Sequence, residues 1–150
     1  MVWLLNIVQV LLLVGLIAYI AMALQSQKDP EDIIGLQHGK LRPCPDSPNC
    51  VCSEQHSQSS EQHALTPINA GYGAWKKLAK IIIRQGGEIQ QDDGSYLHAT
   101  FTSSVFRYVD DVELRLDEDL GLIHIRSASR VGRSDFGVNR KRVERIMQAL

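Results

Sequence analysis

The sequence predicts an α+β protein in which a two-layer domain follows one N-terminal transmembrane helix. The domain is expected to hold an antiparallel meander of three to four strands with two helices on one face. Three observations support this: an uncharged apolar run near the start, two later segments with apolar residues at steps of three and four, and alternating strands between them. Turns of hairpin length between the strands argue against βαβ crossovers.

The apolar run covers residues 2–24, and 21 of the first 24 residues are hydrophobic. A helix of this length spans about 35 Å, more than the hydrocarbon core of about 30 Å. We therefore expect a retained signal anchor over 2–24. The alternative is a cleaved signal peptide, because Ala21, Met22 and Ala23 have the small-x-small form of a cleavage site. The run is, however, longer than the usual apolar region of such peptides, about 7–15 residues.

Residues 25–65 are interpreted as a linker with a cysteine loop. The segment is rich in Pro, Ser and Gln, and residues 53–63 are almost entirely polar, so we expect them to be mobile. Across the whole chain, 16 basic residues balance 17 acidic ones. This near-neutrality argues against a histone-like or ribosomal class, in which an excess of Lys and Arg neutralises phosphates.

The globular domain is expected to cover residues 66–150 and to begin with a helix. Thr66 suits an N-cap and Pro67 the first helical position. One face of that helix would carry Ile68, Tyr72, Trp75, Leu78, Ala79 and Ile82. Gly86 and Gly87 would end it. A closing helix would carry Val143, Ile146, Met147 and Leu150 on one face.

Four strands are predicted between the helices, over residues 88–91, 95–103, 106–117 and 122–130. Period-two alternation gives each longer strand an apolar face toward the helices and a polar face, expected to be wet. The polar face would carry His98, Thr100, Thr102, Glu113, Arg115, His124, Arg126 and Arg130.

Three segments of the chain, residues 41–53, 106–112 and 125–142, carry distinctive motifs. They resemble the signatures of a family of bacterial and plastid proteins, the domain of unknown function numbered 1499. The resemblance covers roughly residues 41–150 and implies membership, but no activity. Members often have Ser where this chain has Cys52, which implies that Cys44 and Cys50 form the pair.

The cysteine segment leaves a second interpretation open, a metal site completed by His56. The spacing of Cys44, Cys50 and Cys52 differs from the C-x(2–4)-C knuckles of zinc sites, so a disulfide is favoured and no metal site is expected. A disulfide suits an oxidising compartment. We therefore expect a single-pass protein of the bacterial inner membrane with a periplasmic C-terminal domain. Basic residues after the apolar run favour the opposite orientation under the positive-inside rule.

Basic residues concentrate at the end of the chain, where seven oppose two acidic residues after position 120. Arg forks and the amides of a helix N-terminus bind phosphate, sulfate or carboxylate, so we expect an anion site here. Its residues would be Arg126, Arg130, Arg133, Gly132, Gly137, Asp110 and His124. In the alternative interpretation, Arg126 and Arg130 pair with acidic residues of the neighbouring strand. Those acidic residues are Asp110, Asp111 and Glu113.

The favoured function is a non-enzymatic, membrane-anchored envelope domain that binds an anionic small molecule, a lipid headgroup or a partner protein. One alternative is a hydrolase that acts on an anionic substrate and uses His124, Asp110 or Asp111, and the arginines. Asp110 and Asp111 are adjacent strand residues and point to opposite faces. Another is a purely structural interaction protein. The lipid bilayer is expected as a partner through residues 2–24. No cofactor is expected, and no nucleic acid, because the basic region lacks interleaved aromatic residues.

Overall fold

The chain opens with one long apolar helix, α1 (Val2–Ser26), as the uncharged run predicts. The computed structural model describes residues 2–28, 32–54, 60–71 and 73–150. By length and composition, α1 is able to cross a membrane, and it extends two residues beyond the predicted end. A signal sequence near an N-terminus has the same properties, so an anchor and a signal sequence both fit this helix.

A short hairpin and a six-stranded sheet follow α1 in the described residues. Strands β1 (Leu36–Gln37) and β2 (Lys40–Leu41) pair only with each other. The sheet contains β3 (Cys50–Cys52), β4 (Ile68–Asn69), β5 (Glu88–Asp92), β6 (Tyr96–Thr102), β7 (Val109–Asp117) and β8 (Leu122–Ser129). Its order is β3-β8-β7-β6-β5, with β4 also on β8, and every pairing is antiparallel. The predicted meander is confirmed, and two short strands extend it at the β8 edge.

Helices α2 (Ala74–Arg84) and α3 (Val138–Gln148) cover one face of the sheet. The largest fully buried side chains between the helices and the sheet are Leu78, Ile82, Leu97, Leu114, Ile123, Ile125 and Ile146. They belong to the apolar faces that alternation and helical spacing predict. The α+β class is therefore confirmed.

The start of α2 differs from the prediction at Thr66 and Pro67. Ile68 lies in β4 opposite Ile123, and α2 begins only at Ala74, after Gly73 with φ of 73°. Tyr72, placed on the helix face by the sequence, lies outside the described residues. The ladder with β8 requires an extended chain at Ile68, and this tertiary pairing outweighs a local capping preference. The predicted end is confirmed, because α2 stops at Arg84 before Gly86, where φ is 91°.

The segment interpreted as a linker also contributes to the fold in its described part. Backbone pairs join Cys50 to Ala128 and Cys52 to Arg126, so β3 covers an edge of β8. Leu41 is completely buried in a small cluster with Cys52 and Tyr96. The polar run around residues 53–63, expected to be mobile, is buried at Ser53, Glu54 and His63, and its residues 55–59 lie outside the described chain.

Candidate functional site

The second face of the sheet is polar, as predicted, but its central part is buried rather than wet. Glu113 is 0% exposed, Asp111 1% and Arg126 3%. The β1–β2 hairpin and the residues up to Glu54 lie over this face, where Gly35 and Leu41 donate backbone hydrogen bonds to Glu113 and Glu54. Buried charges require partners, and three acidic residues organise the face into three groups.

The first group surrounds Asp111. Arg130 binds it through two contacts, Nε to Oδ2 at 2.9 Å and Nη2 to Oδ1 at 2.9 Å. His98 donates from Nε2 to Oδ1 at 2.8 Å. Burial opposes the ionisation of Asp111, but these hydrogen bonds outweigh it and lower the pKa of the carboxyl below its ordinary value.

The second group surrounds Glu113, which accepts three hydrogen bonds of 2.7 Å. They come from Arg126 Nη1, from the Tyr96 hydroxyl and from the backbone amide of Gly35. Burial, together with the adjacent Glu113 carboxylate, raises the pKa of Tyr96, so the phenol remains a hydrogen-bond donor. This carboxylate therefore joins three parts of the fold. They are β6, β8 and residues 35–54, which lie over the polar face and are called the covering segment below.

The third group surrounds Glu54, which the sequence analysis did not single out. Arg115 donates to it from Nη2 at 2.9 Å and from Nε at 3.0 Å, and this pairing raises the pKa of the guanidinium. Arg115 also contacts Asp117 at 3.0 Å. Glu54 lies in a polar run without periodicity, and no sequence signal marks it as a buried partner.

Asp110 points to the opposite face, as the alternation predicts. Its carboxylate accepts from Arg142 Nη2 at 2.6 Å, and the Arg142 guanidinium carbon lies 4.6 Å from the centre of the Phe101 ring. Arg142 also contacts Ser127 and Asn139, and Asn139 is completely buried. These residues attach α3 to β7 and β8, and the carboxylates of Asp110 and Asp111 lie on opposite faces of the sheet.

The residues expected to form one anion site are distributed over several places. Arg126 and Arg130 pair with Glu113 and Asp111, as the alternative interpretation proposes. Arg133 is exposed in the loop before α3. The carbonyl of Gly132 accepts from Asn49 Nδ2 at 2.7 Å.

The amides at the start of α3 are already bound to a carboxylate of the chain itself. Asp135 accepts from the Gly137 amide at 2.9 Å and from the Asn139 amide at 2.8 Å. The helix dipole favours a negative charge at this position, and Asp135 supplies it. An external anion therefore has no vacant helix terminus at Gly137.

His124 lies near a serine and a carboxylate, the residue types of a hydrolytic site. Its Nδ1 is 3.4 Å from Ser53 Oγ, and its Nε2 is 3.8 Å from Glu54 Oε1. Ser53 Oγ also accepts the amide hydrogen of Ile125 at 2.8 Å, and Ser53 is buried. Its hydroxyl is therefore poorly placed to attack a substrate. His124 pairs with Arg115 of β7, and Arg115 is four residues, about 13 Å along the strand, from Asp111. The structure does not bring His124 together with Asp110 or Asp111.

A cleft of about 260 Å³ opens beside Arg126. Its lining includes Asp32, Gln37, Arg42, Cys44, Arg126 and Ser129. Arg42 is held on its wall by a hydrogen bond from Nε to the Ile34 carbonyl at 3.0 Å. Arg126 Nε is buried and has no hydrogen-bond partner among the described residues.

The disulfide between Cys44 and Cys50 is confirmed, with 5.6 Å between the two Cα atoms. Cys52 is free and buried, and burial raises the pKa of its thiol to about 11. Such a thiol is almost entirely protonated at neutral pH and is a poor nucleophile and metal ligand. His56, the fourth residue of the metal interpretation, lies outside the described residues.

No curated protein sequence matches the chain significantly. A family model described as a protein of unknown function (DUF1499) matches residues 40–150, a range that contains the disulfide, the sheet and both domain helices. The match begins at β2, so the covering segment from Lys40 onward is part of the family domain. The resemblance seen in three sequence segments is therefore confirmed, and the chain belongs to the DUF1499 family.

Proposed function

We propose that this protein is a non-enzymatic, membrane-anchored domain that binds a small anion in the cleft beside Arg126. The ligand class is a small carboxylate or phosphate monoester, free or as part of a headgroup. The proposal keeps the expected anion recognition but assigns it to Arg126 and Arg42, instead of to Arg126, Arg130 and Arg133 together.

The observation that carries this proposal is the buried Nε of Arg126. A buried donor without an acceptor costs about 1–3 kcal/mol, and the described residues supply no acceptor for this one. Glu113 holds the guanidinium through Nη1, which fixes its plane beside the cleft. A ligand oxygen at Nε would complete the hydrogen bonding of Arg126, and Arg42 would supply a second charge from the cleft wall.

For the cellular location, we propose that α1 is retained in a bacterial inner membrane and that the domain is periplasmic. The length of α1 and the Cys44–Cys50 disulfide support this arrangement, because disulfides persist in oxidising compartments. An alkaline phosphatase fused after Leu150 should be active, and the mature chain should retain residues 2–24. An inactive phosphatase fusion would contradict the orientation, and a mature N-terminus near residue 24 would contradict retention.

Anion binding is tested by thermal unfolding of the full chain in lipid nanodiscs, with inorganic phosphate or acetate at constant ionic strength. Phosphate stabilises proteins generally at high concentration, so only a rise in Tm that saturates at low millimolar concentration counts as binding. Arg126→Lys keeps a charge for Glu113 but lacks the Nε–H donor, so it should lose this rise. Arg42→Gln should weaken it. Arg84→Gln, on the exposed end of α2, is the matched control and should respond as the wild type does.

Two results would contradict the anion site. One is a wild-type Tm that no tested anion raises in a saturable way. The other is an equal rise in the wild type, Arg126→Lys and Arg42→Gln, which would place the bound anion elsewhere on the protein.

A further inference from the structure

The C-terminal end of α1 is attached to the domain by side-chain hydrogen bonds. Ser26 Oγ accepts the amide hydrogen of Val109 at 2.7 Å, and Ser26 is fully buried. Gln27 Nε2 donates to the Arg107 carbonyl at 2.6 Å. These contacts hold the end of the apolar helix against the start of β7.

Arg130 adds a charged contact at the same helix end. Its Nη1 donates to the carbonyls of Ser26 at 3.4 Å and Lys28 at 3.0 Å, while its other nitrogens hold Asp111. The last carbonyls of a helix have no partners within the helix, and a cation there is favourable. Arg130 thereby links the end of α1 to the buried Asp111 of the sheet, and these contacts hold the domain against the end of the helix.

The loop between β6 and β7 extends back along α1, toward its apolar part. The Tyr19 hydroxyl lies 3.4 Å from the carbonyl of Val105, to which it donates. Tyr19 is seven residues before Ser26, about 10 Å along a helix. The loop therefore reaches the level of the last apolar turns of α1.

Aromatic and aliphatic side chains dominate this junction. The rings of Tyr19, Phe106 and Tyr108 contact one another, with centroids 5.8 to 6.3 Å apart. Val105 is 72% exposed and Phe106 54%. Phe136, in the neighbouring loop before α3, is 89% exposed.

A cavity of about 540 Å³ joins the two loops to α1. Its larger, apolar part is lined by Met22, Phe106, Tyr108, Val131, Phe136 and Val138, and its polar part includes Asp110, Asp135 and three serines. Met22 belongs to the last turns of α1, so the cavity lies beside the C-terminal part of this helix. Arg107 and Arg133 are exposed beside the same loops and suit the phosphates of a lipid surface.

We infer that this end of the domain is a lipid-contacting surface, defined by Val105, Phe106, Tyr108 and Phe136. Its occupant is the phospholipid of the leaflet in which α1 ends, whose acyl chains cover the apolar side chains and enter the cavity. Continuity with α1 supports this occupant, because the loop follows the apolar helix to the level of Tyr19. Amphipathic aromatic rings are favoured at such membrane interfaces. The inference rests on the retention of α1 in a bilayer, but not on the anion cleft.

The test uses the full chain in phosphatidylcholine–phosphatidylglycerol vesicles that contain lipids with nitroxide quenchers at known depth. Single cysteines are introduced by Phe136→Cys, by Leu12→Cys in α1 and by Glu118→Cys in the turn between β7 and β8, and each is labelled with a fluorophore before reconstitution. The native Cys52 is buried with a pKa of about 11, so it should label slowly in the folded protein. Strong lipid quenching is expected at 136 and at 12, and little at 118.

The three positions separate the possible outcomes. Quenching at 12 without quenching at 136 would overturn the lipid-contacting surface and leave the membrane anchor intact. Absence of quenching at both 12 and 136 would overturn the anchor and, with it, this surface. Equal quenching at 136 and 118 would also overturn the surface, because it would show no preferred orientation. Phe106→Ser should reduce quenching at 136, whereas Leu120→Ser, in the distant turn, should not.

Discussion

The two faces of the sheet both have buried centres but differ in the chemistry that dominates there. On β7, Leu114 and Glu113 are both 0% exposed, one facing α2 and α3 and the other facing the covering segment. Apart from the group around Arg142 and Asp110, the helix face excludes water with aliphatic side chains that require shape complementarity. The polar face excludes water with carboxylates that each bind specific donors, so it requires particular partners. Burial alone therefore does not reveal whether a face is held by packing or by pairing.

The difference predicts how each face responds to change. A buried ion pair contributes little net stability relative to apolar residues of similar volume, but loss of one partner leaves an uncompensated charge. An aliphatic side chain that is truncated leaves a cavity whose cost depends on its volume. On the polar face, replacing both partners of an ion pair should therefore restore stability that the removal of one partner loses. On the helix face, the stability lost by truncating a side chain has no such compensating change.

The largest expected effect is that of Glu113→Ala. It removes the acceptor of Arg126, Tyr96 and Gly35 together, and we expect a loss of about 3–5 kcal/mol in the free energy of unfolding. Urea denaturation of the full chain measures it. Leu114→Ala is the matched control on the other face of the same strand, with an expected loss of about 2–5 kcal/mol.

The double variant Glu113→Leu with Arg126→Leu tests whether the polar face depends on charge pairing or on shape. It should recover part of the stability that Glu113→Ala loses, because no unpaired charge remains, while the Tyr96 hydroxyl and the Gly35 amide still lack their acceptor. A double variant as unstable as Glu113→Ala would show that this face depends on its shape rather than on pairing, and the contrast between the faces would disappear.

A smaller effect is expected from removing the disulfide with Cys44→Ser and Cys50→Ser. The bond closes a short loop in the segment that covers the polar face, so the expected loss is about 2 kcal/mol. Reduction of the wild type should produce the same change in the urea midpoint. Cys52→Ala serves as control, because it changes a nearby buried sulfur without opening the loop; an equal loss there would assign the effect to packing.

The smallest expected effect is the part of the acid pH dependence that Asp111 contributes on the polar face. The pKa of Asp111 is lowered in the folded protein, whereas an unfolded Asp titrates near 3.9. The contribution of Asp111 is therefore complete above about pH 4 and is lost as the pH falls through the folded value. Asp111→Asn should flatten the acid limb of the stability curve measured by thermal unfolding. Leu114→Ala should shift the whole curve downward and keep its slope; an equal flattening there would contradict the assignment.

The sequence predicted the direction of the side chains better than their environment. Alternation placed Glu113 and Leu114 on opposite faces correctly, because each strand is regular over its length. It did not show that the polar face is covered, because the covering residues lie in short strands of two or three residues without periodicity. Polar alternation alone predicts solvent exposure, although paired charges are equally compatible with burial.

The candidate site was predictable only in part for the same reason. The excess of Arg after residue 120 makes Arg126 a candidate ligand-binding residue. Whether its guanidinium binds a ligand or a neighbouring carboxylate depends on the strand register and on residues distant in the sequence. Asp135 shows this most clearly, because its occupation of the α3 amides depends on the loop conformation around Gly137. Local signals also failed at Ile68, where pairing with Ile123 replaced a predicted helix by a strand.

The pairing of β3 with β8 has a consequence for the order of events during synthesis. Cys52 lies opposite Arg126, a residue that leaves the ribosome roughly 75 positions later, or about 4 to 15 s at ordinary elongation rates. Throughout that interval the strand that pairs with β3 is not yet synthesised, so β8 does not shield the Cys52 thiol from exchange with Cys44 and Cys50. Arrival of β8 then withdraws Cys52 from exchange and leaves Cys44 and Cys50 as the surviving bond. Completion of the sheet is therefore the event after which the Cys44–Cys50 bond no longer competes with pairings of Cys52.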